Sequence, residues 1–433
     1  MPRRLTRRRF LQQSAALAAS ATLPGLGTAG ARKLPPGERL NLGVIGVAGR
    51  GAANLAGVAH ENIVALCDVH VSRAGKAREQ FPRAQFYQDF RRLLDRSDLD
   101  AVVISTPDHM HAIPAVRAMR AGKHVYCEKP LAHSVHEIRV MMATAAEKKL
   151  VTQMGTQIHA EDNYRRVVEI VRGGALGTVR RVQVWCGKRP DPRRLAKAPV
   201  PVPSDLDYDL WLGPAPYRPY DPAFLPFHWR WFWEFGGGIL ADMACHYMDL
   251  PHWALDLRAP VRVSASGKKL TSDNDDEVPD VLRADFHYPA RGDRPPVHLT
   301  WYSGAPGPDL AATAPFHGYS SGVLFEGEKG QLLADYGRHK LLPEAKFENF
   351  VPPPQTIPHS LGHHREWLEA IKSGGTTTCN FAYSGALAET VLLGNVAFHC
   401  GQEITWDDHE GRVVNAPGAA KYLEREYRKG WRL

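Results

Sequence analysis

Three short stretches carry side chains that could do chemistry. The first, HVYCEKPLA (124–132), runs an apolar, strand-like segment into Glu128, Lys129 and Pro130. An ammonium at the C-terminal end of a parallel strand stands where open α/β sheets keep their ligand crevice, and there it can stabilise developing negative charge. The second, FGGGILADMACHYMD (235–249), places Asp242 and His246 four residues apart, on one helix face, with Asp249 one turn beyond. The flanking Ile239, Leu240, Met243, Ala244 and Tyr247 predict a buried helix, so the acid and the imidazole need partners. An imidazole with a pKa near ~6.5 transfers protons at neutral pH. The third, GVIGVAGRG (43–51), breaks an apolar run into a glycine-rich turn.

That turn lies between a strand and a helix, as in dinucleotide-binding units. Gly46 permits the turn, Gly51 permits close helix–strand packing, and the helix N-terminus favours a pyrophosphate. Ala48 replaces the usual middle glycine, with Gly49 and Arg50 beside it. Asp68 ends the next strand, 22 residues after Gly46, where an acid bonds ribose hydroxyls. A carboxylate there repels a 2′-phosphate, so NAD is expected over NADP, although Arg73 is near. Thr106, Pro107, His109 and His111 follow the fourth strand and are expected to face the cofactor. The two histidines have no evident third ligand, so no metal is expected.

These groups need a scaffold. The runs LNLGVIGV, NIVALCDV, DAVVISTP, HVYCEK and LVTQMG read as buried parallel strands separated by amphipathic helices. The repetition predicts an α/β, doubly wound parallel sheet over residues 40–157. From 158 to 360, strands succeed one another with few helices, predicting an α+β domain on a large, mostly antiparallel open sheet. Within it, Glu328-Lys329-Gly330 reads as a hairpin turn, and the Pro-rich 190–226 as a long ordered excursion. Residues 361–433 are expected to supply C-terminal helices and a tail packing back on both domains.

Composition limits the alternatives. The chain has 433 residues and a net charge of +8, of which Arg3, Arg4, Arg7, Arg8 and Arg9 carry five. The small surplus left predicts no nucleic-acid partner. Those arginines precede an Ala-rich apolar run and Ala29-Gly30-Ala31, the order of a twin-arginine signal peptide over residues 1–31. The expectation is export through the Tat translocase to the periplasm, with no stable membrane anchor. Six cysteines show no CxxC pair and read as small buried hydrophobes.

Taken together, GVIGVAGRG, STPDHMHA (105–112), YCEKPLA and the Asp-x-x-x-His of DMACH resemble the Gfo/Idh/MocA oxidoreductases. WLGPAP (211–216), WRWFWEFGGG (229–238) and LLGNVAFHCGQEITWD (392–407) look like one exported branch of that family. The resemblance implies catalytic roles for Lys129, Asp242 and His246 on a secondary hydroxyl of a sugar, polyol or glycoside. By it, His246 takes the hydroxyl proton, Lys129 stabilises the oxygen, and Asp242 orients the substrate or the imidazole. Glu128, Lys129 and Gln157 join the cofactor set. Tyr164, His228, Arg230 and Trp231 join Lys129, Asp242 and His246 as substrate-binding candidates. Because an exported enzyme has no NAD pool to draw on, the cofactor is expected to be tightly bound and recycled. That cycle could be net sugar oxidation coupled to a second reduction, or glycoside cleavage by transient oxidation, elimination, water addition and re-reduction. A non-catalytic sugar or dinucleotide sensor is the third possibility. Homo-oligomerisation through the C-terminal sheet is also expected.

Overall fold

Near-continuous Val, Ile and Leu make β1 (Asn41–Ile45), β2 (Asn62–Cys67), β4 (Ala101–Ile104) and β5 (His124–Cys127) strands that are buried along most or all of their length. With the short β3 (Gln85–Tyr87) and β6 (Thr152–Met154) they form an all-parallel sheet of order β3-β2-β1-β4-β5-β6. The order reverses between β1 and β4, so the crevice opens at their C-terminal ends. The computed structural model describes residues 38–190, 195–272, 274–304 and 318–433. The expected signal peptide at 1–31 lies outside the described residues.

Helices α1 (Arg50–Val58), α2 (Gly75–Gln80), α3 (Phe90–Leu94), α4 (Ala112–Arg120) and α5 (Val135–Lys148) cover this sheet. Ser134 and Glu137 close a reciprocal capping box at the start of α5, which fixes where the chain turns after Pro130. The Lys129-Pro130 peptide is cis.

After α6 (Asp162–Arg172) the chain enters a nine-stranded sheet through β7 (Val179–Cys186). Its further strands are β8 (Arg262–Lys268), β9 (Val281–Tyr288), β10 (Val297–Ser303), β11 (Ser321–Gly327), β12 (Gly330–Ala334), β13 (His339–Leu342), β14 (Ile404–Asp407) and β15 (Arg412–Val413). The order is β13-β12-β11-β7-β10-β9-β8-β14-β15, antiparallel except for the β7–β10 pair. The hairpin expected at Glu328-Lys329-Gly330 is present, with Gly327 opposite Gly330.

Between the sheets run α8 (Gly238–Tyr247), α9 (Asp249–Ala254) and α11 (Phe381–Cys400). Helix α11 is long and apolar enough to cross a membrane, yet 78% of that window is buried inside the protein, so it serves as a core helix. The excursion between β7 and α8 includes α7 (Tyr208–Leu212) and its own aromatic cluster of Tyr208, Trp211, Phe224, Trp229, Phe232 and Phe235. Helix α10 (His363–Ser373) returns to the parallel sheet, burying Trp367 and Leu368 against Val44, Val103 and Tyr126.

Candidate functional site

The glycine turn is built by close approach. A Cβ on Gly46 would stand 2.6 Å from the Ser105 carbonyl oxygen, and one on Gly51 only 1.9 Å from the Gly46 carbonyl oxygen. Gly49, at φ +57, precedes α1, which has no side-chain cap. Gly51 and Ala52 N–H turn back to the Ala48 and Gly49 carbonyls at 3.0 and 3.2 Å, which tightens the turn and brings the positive end of the helix dipole to the cavity. Asp68 accepts backbone N–H bonds from Val47 and His70, both 3.1 Å long, which lock it beside the turn. Burial raises its carboxyl above the usual range despite those bonds.

These residues open onto a cavity of about 430 Å³. Gly46, Ala48, Gly49, Arg50, Asp68, Arg73, Thr106, Pro107, Glu128, Lys129, Gln157, Arg230 and His246 lie on its wall. A backbone cradle, a buried acid, a lysine and a histidine on one cavity wall fit a nicotinamide dinucleotide. The cradle and Asp68 would hold its phosphates and ribose.

Glu128 organises the centre. It takes Arg50 Nε at 2.8 Å and Asn54 Nδ2 at 2.9 Å, while Arg50 also reaches Gln157 at 3.2 Å. Burial works to raise its carboxyl, but Arg50 and Lys129 hold it below the ordinary value. A Cβ on Gly155 would fall 2.5 Å from Glu128, so glycine there makes room for the acid.

The catalytic candidates come from both layers. Lys129, at the end of β5, donates to the Asp242 Oδ1 and carbonyl oxygen, each at 2.6 Å. Lys188, just past β7, reaches Asp242 Oδ2 at 2.5 Å, and Arg230 Nε reaches Oδ1 at 3.2 Å. Burial opposes ionisation of Asp242, yet the three cations hold its carboxyl well below the carboxylate range. Helix α8 can carry it here because the glycines before it let backbones meet. A Cβ on Gly236 would lie 2.7 Å from the Arg230 Cα, and one on Gly237 2.6 Å from Asn395 Nδ2.

His246 reaches the cavity one turn further on. Its Nδ1 is buried and has no hydrogen-bond partner among the described residues. Burial, reinforced by the charge of Lys129, pushes the imidazole down to about 3. The ring is thus a neutral acceptor throughout the physiological range, which corrects the value near ~6.5 expected for an ordinary histidine.

The structure moves several expected residues off the cavity wall. Asp242 is not on the wall; both its oxygens are taken by cations, and it holds Lys129 in place. Tyr164 is fully buried and donates to the His246 carbonyl at 3.0 Å, so it holds α8 instead of binding substrate. On the one-turn 3-10 helix His228–Trp231, residues three apart share a side. Phe227 and Arg230 face the cavity with Trp229, whereas His228 and Trp231 do not line it, and Trp231 is core. His109 and His111, expected to face the cofactor, are off the cavity wall and brace the loop. His109 Nε2 meets the Trp211 carbonyl at 3.0 Å, and His111 bridges the Pro130 and Thr106 carbonyls at 2.7 and 2.9 Å.

Sequence reading passed over Lys188, Asn54 and Asp108. Lys188 follows a strand end, and Asp108 sits inside STPDHMHA at the functional edge of β4, so both had a positional signal. Asn54 had none.

Two family models match the chain. One, an oxidoreductase family with an NAD-binding Rossmann fold (GFO_IDH_MocA), covers residues 40–156; the other, the C-terminal alpha/beta domain of that family, covers 174–289. The myo-inositol 2-dehydrogenase of Thermotoga maritima is 23% identical over 299 residues, 68% of this chain and 75% of that protein. The glycosyl hydrolase family 109 protein 1 of Shewanella sp. is 33% identical over 159 residues, 33% of this chain and 34% of that one. Among solved structures, the aldose-aldose oxidoreductase from Caulobacter crescentus, complexed with glycerol, shares the fold with a TM-score of 0.58 at 20% identity, covering 85% of this chain and 100% of that one.

Proposed function

The chain belongs to the Gfo/Idh/MocA family of NAD-binding oxidoreductases, and from that premise we propose that it oxidises a secondary hydroxyl of a sugar or polyol with a tightly held NAD. The observation that carries the reading is that Lys129 and His246 line the same cavity as the glycine turn and Asp68. When bound, NAD supplies an acceptor for the hydride. Lys129, fixed by Asp242, donates to the substrate oxygen and offsets its developing negative charge. Neutral His246 offers a lone pair for the hydroxyl proton. Arg230 and the rings of Phe227 and Trp229 face the space where a sugar would lie.

Retention of the cofactor is supported by how the cavity is roofed. Val71 N–H donates to the Asp205 carbonyl and Asp207 N–H to the Val69 carbonyl, both at 2.9 Å, so the excursion pairs with the chain just after Asp68. The C-terminal tail ties that excursion to the parallel-sheet domain. Arg425 and Tyr427 grip Glu137 at 2.8 and 2.6 Å, Arg428 pairs with Asp209, and Trp431 stacks on Phe90. We propose that this closure keeps NAD bound after export through the twin-arginine route, and that it is recycled within each turnover. NAD is preferred over NADP because the carboxylate of Asp68, held beside the glycine turn, would repel a 2′-phosphate.

A second reading is glycoside cleavage through transient oxidation; the segment shared with the family 109 glycosyl hydrolase favours it. Purified protein passed through gel filtration and assayed with sugars and aryl glycosides tests both. Retained NAD with a rise in absorbance near 340 nm supports oxidation, whereas aglycone release without net NADH supports cleavage. Protein free of cofactor, with affinity in the micromolar range or weaker, refutes the retained cycle.

A further inference from the structure

Asp108 has no part in the roles above. It follows Pro107 at the C-terminal end of β4 and is 4% exposed. A largely buried carboxyl that lines cavities marks a place where water or ligand is expected.

Two cavities meet at this residue. One is the cofactor cavity. The other, of about 280 Å³, lies among Ala132–Ser134, the Gly236–Gly237 turn, α11 and the segment from Lys421 to Arg425. Asn395 lines the second cavity. Its amide nitrogen donates to the Gly237 carbonyl at 3.0 Å, while its Oδ1 is buried with no partner among the described residues. An orphaned acceptor and a carboxyl in a space of this size make a water site. Exposed Lys421 and Glu424 stand at its outer rim.

We propose that Asp108 is the proton carrier of the site, passing the proton released from the substrate hydroxyl to water in the second cavity and returning one in the reverse direction. The proposal rests on the oxidoreductase reading. In that reaction a C–H bond breaks and its electron pair leaves as hydride to a bound oxidised nicotinamide. The O–H bond breaks as the C=O forms, and one proton must leave. His246 can accept that proton but not keep it, because burial and Lys129 disfavour the imidazolium.

The surroundings of Asp108 suit it to the relay. Burial lifts its carboxyl to about 8 against the pull of Arg230 and Lys129, while Asp242 and Glu128 push the same way as burial. On its own segment, His109 and His111 are engaged with backbone carbonyls. Across the second cavity stand His133, His399, Lys421, Glu424 and Arg425. Such a carboxyl exchanges its proton near neutral pH.

Two measurements on the full chain test this. In an infrared titration, the wild type should show a buried protonated-carboxyl band that disappears near pH 8 and is missing from Asp108→Asn. In single turnovers followed at 340 nm with a pH indicator, Asp108→Asn should slow hydride transfer about tenfold or more. Formate, a small diffusible acid, should restore part of the rate in Asp108→Asn and leave the wild type unchanged. A variant with the wild-type rate and simultaneous proton release, or a wild type lacking the infrared band, overturns the relay while leaving the oxidoreductase reading intact. A wild type that retains NAD but gives no 340 nm signal with any sugar overturns that reading and the relay with it.

Discussion

Lys129 and Asp242 are 113 residues apart, yet the lysine Nζ lies 2.6 Å from both the side-chain and main-chain oxygens of the aspartate. One contact joins the parallel sheet to the helix that carries His246, and it aims the ammonium at the cavity. Removing either partner should therefore have different consequences. Lys129→Ala deletes the charge that stabilises the oxygen, and kcat should fall about 10²–10³-fold with NAD still bound. Asp242→Asn leaves Lys129, Lys188 and Arg230 crowded without their counter-charge. Breaking a buried ion pair costs about 3–5 kcal/mol, so thermal unfolding should show a large drop in Tm for Asp242→Asn and a smaller one for Lys129→Ala.

Acid should destabilise the fold well above the carboxylate range. Burial lowers His109, His133, His246 and His363 to about 3, and His124, His252, His364 and His399 to about 4. The unfolded chain holds each near ~6.5, so between those values it binds more protons than the folded protein. Stability is then fully present above pH ~6.5 and is lost as pH falls, by up to about 1.4 kcal/mol per pH unit for each histidine titrating. Asp108, raised to about 8, works in the opposite direction as a single group. Tm measured from pH 7.5 to 5 should decline steadily; a flat profile contradicts the neutral burial of these rings.

The C-terminal tail makes a separate prediction about the cofactor. Arg428 and Trp431 contact Asp209 and Phe90, and neither touches the catalytic groups. The double substitution Arg428→Ala and Trp431→Ala should speed NAD loss about tenfold or more. The initial rate should be unchanged when NAD is supplied in excess. Stopped-flow fluorescence of NADH release provides the measurement, and equal release rates in the two proteins would falsify this role of the tail.

Cofactor choice rests on Asp68, with Arg73 on the same cavity wall. Asp68→Ser should remove the repulsion of a 2′-phosphate and leave Arg73 to pair with it. The ratio of NADP to NAD affinity should rise about tenfold, read by calorimetry of both dinucleotides. An unchanged ratio would place the ribose elsewhere.

Much of this was legible in the primary structure, and the boundary is physical. Near-continuous apolar runs identify β1, β2, β4 and β5, because a strand covered on both faces is apolar along its own length. Gly46, Asp68 and Lys129 could be placed on one cavity from their positions at strand ends, since topology directs those ends to one crevice. The spacing of Asp242 and His246 determined that they share a helix. Only the folded chain decided what each would touch: Lys129, Lys188 and Arg230 converge on Asp242, His109 and His111 turn to backbone carbonyls, and Tyr164 bonds the His246 carbonyl. Contacts between residues 54 to 113 positions apart leave no periodic trace in either segment. The same holds for burial, which sets the protonation of His246 and Asp108: it comes from every layer packed around them, and no local window contains those layers.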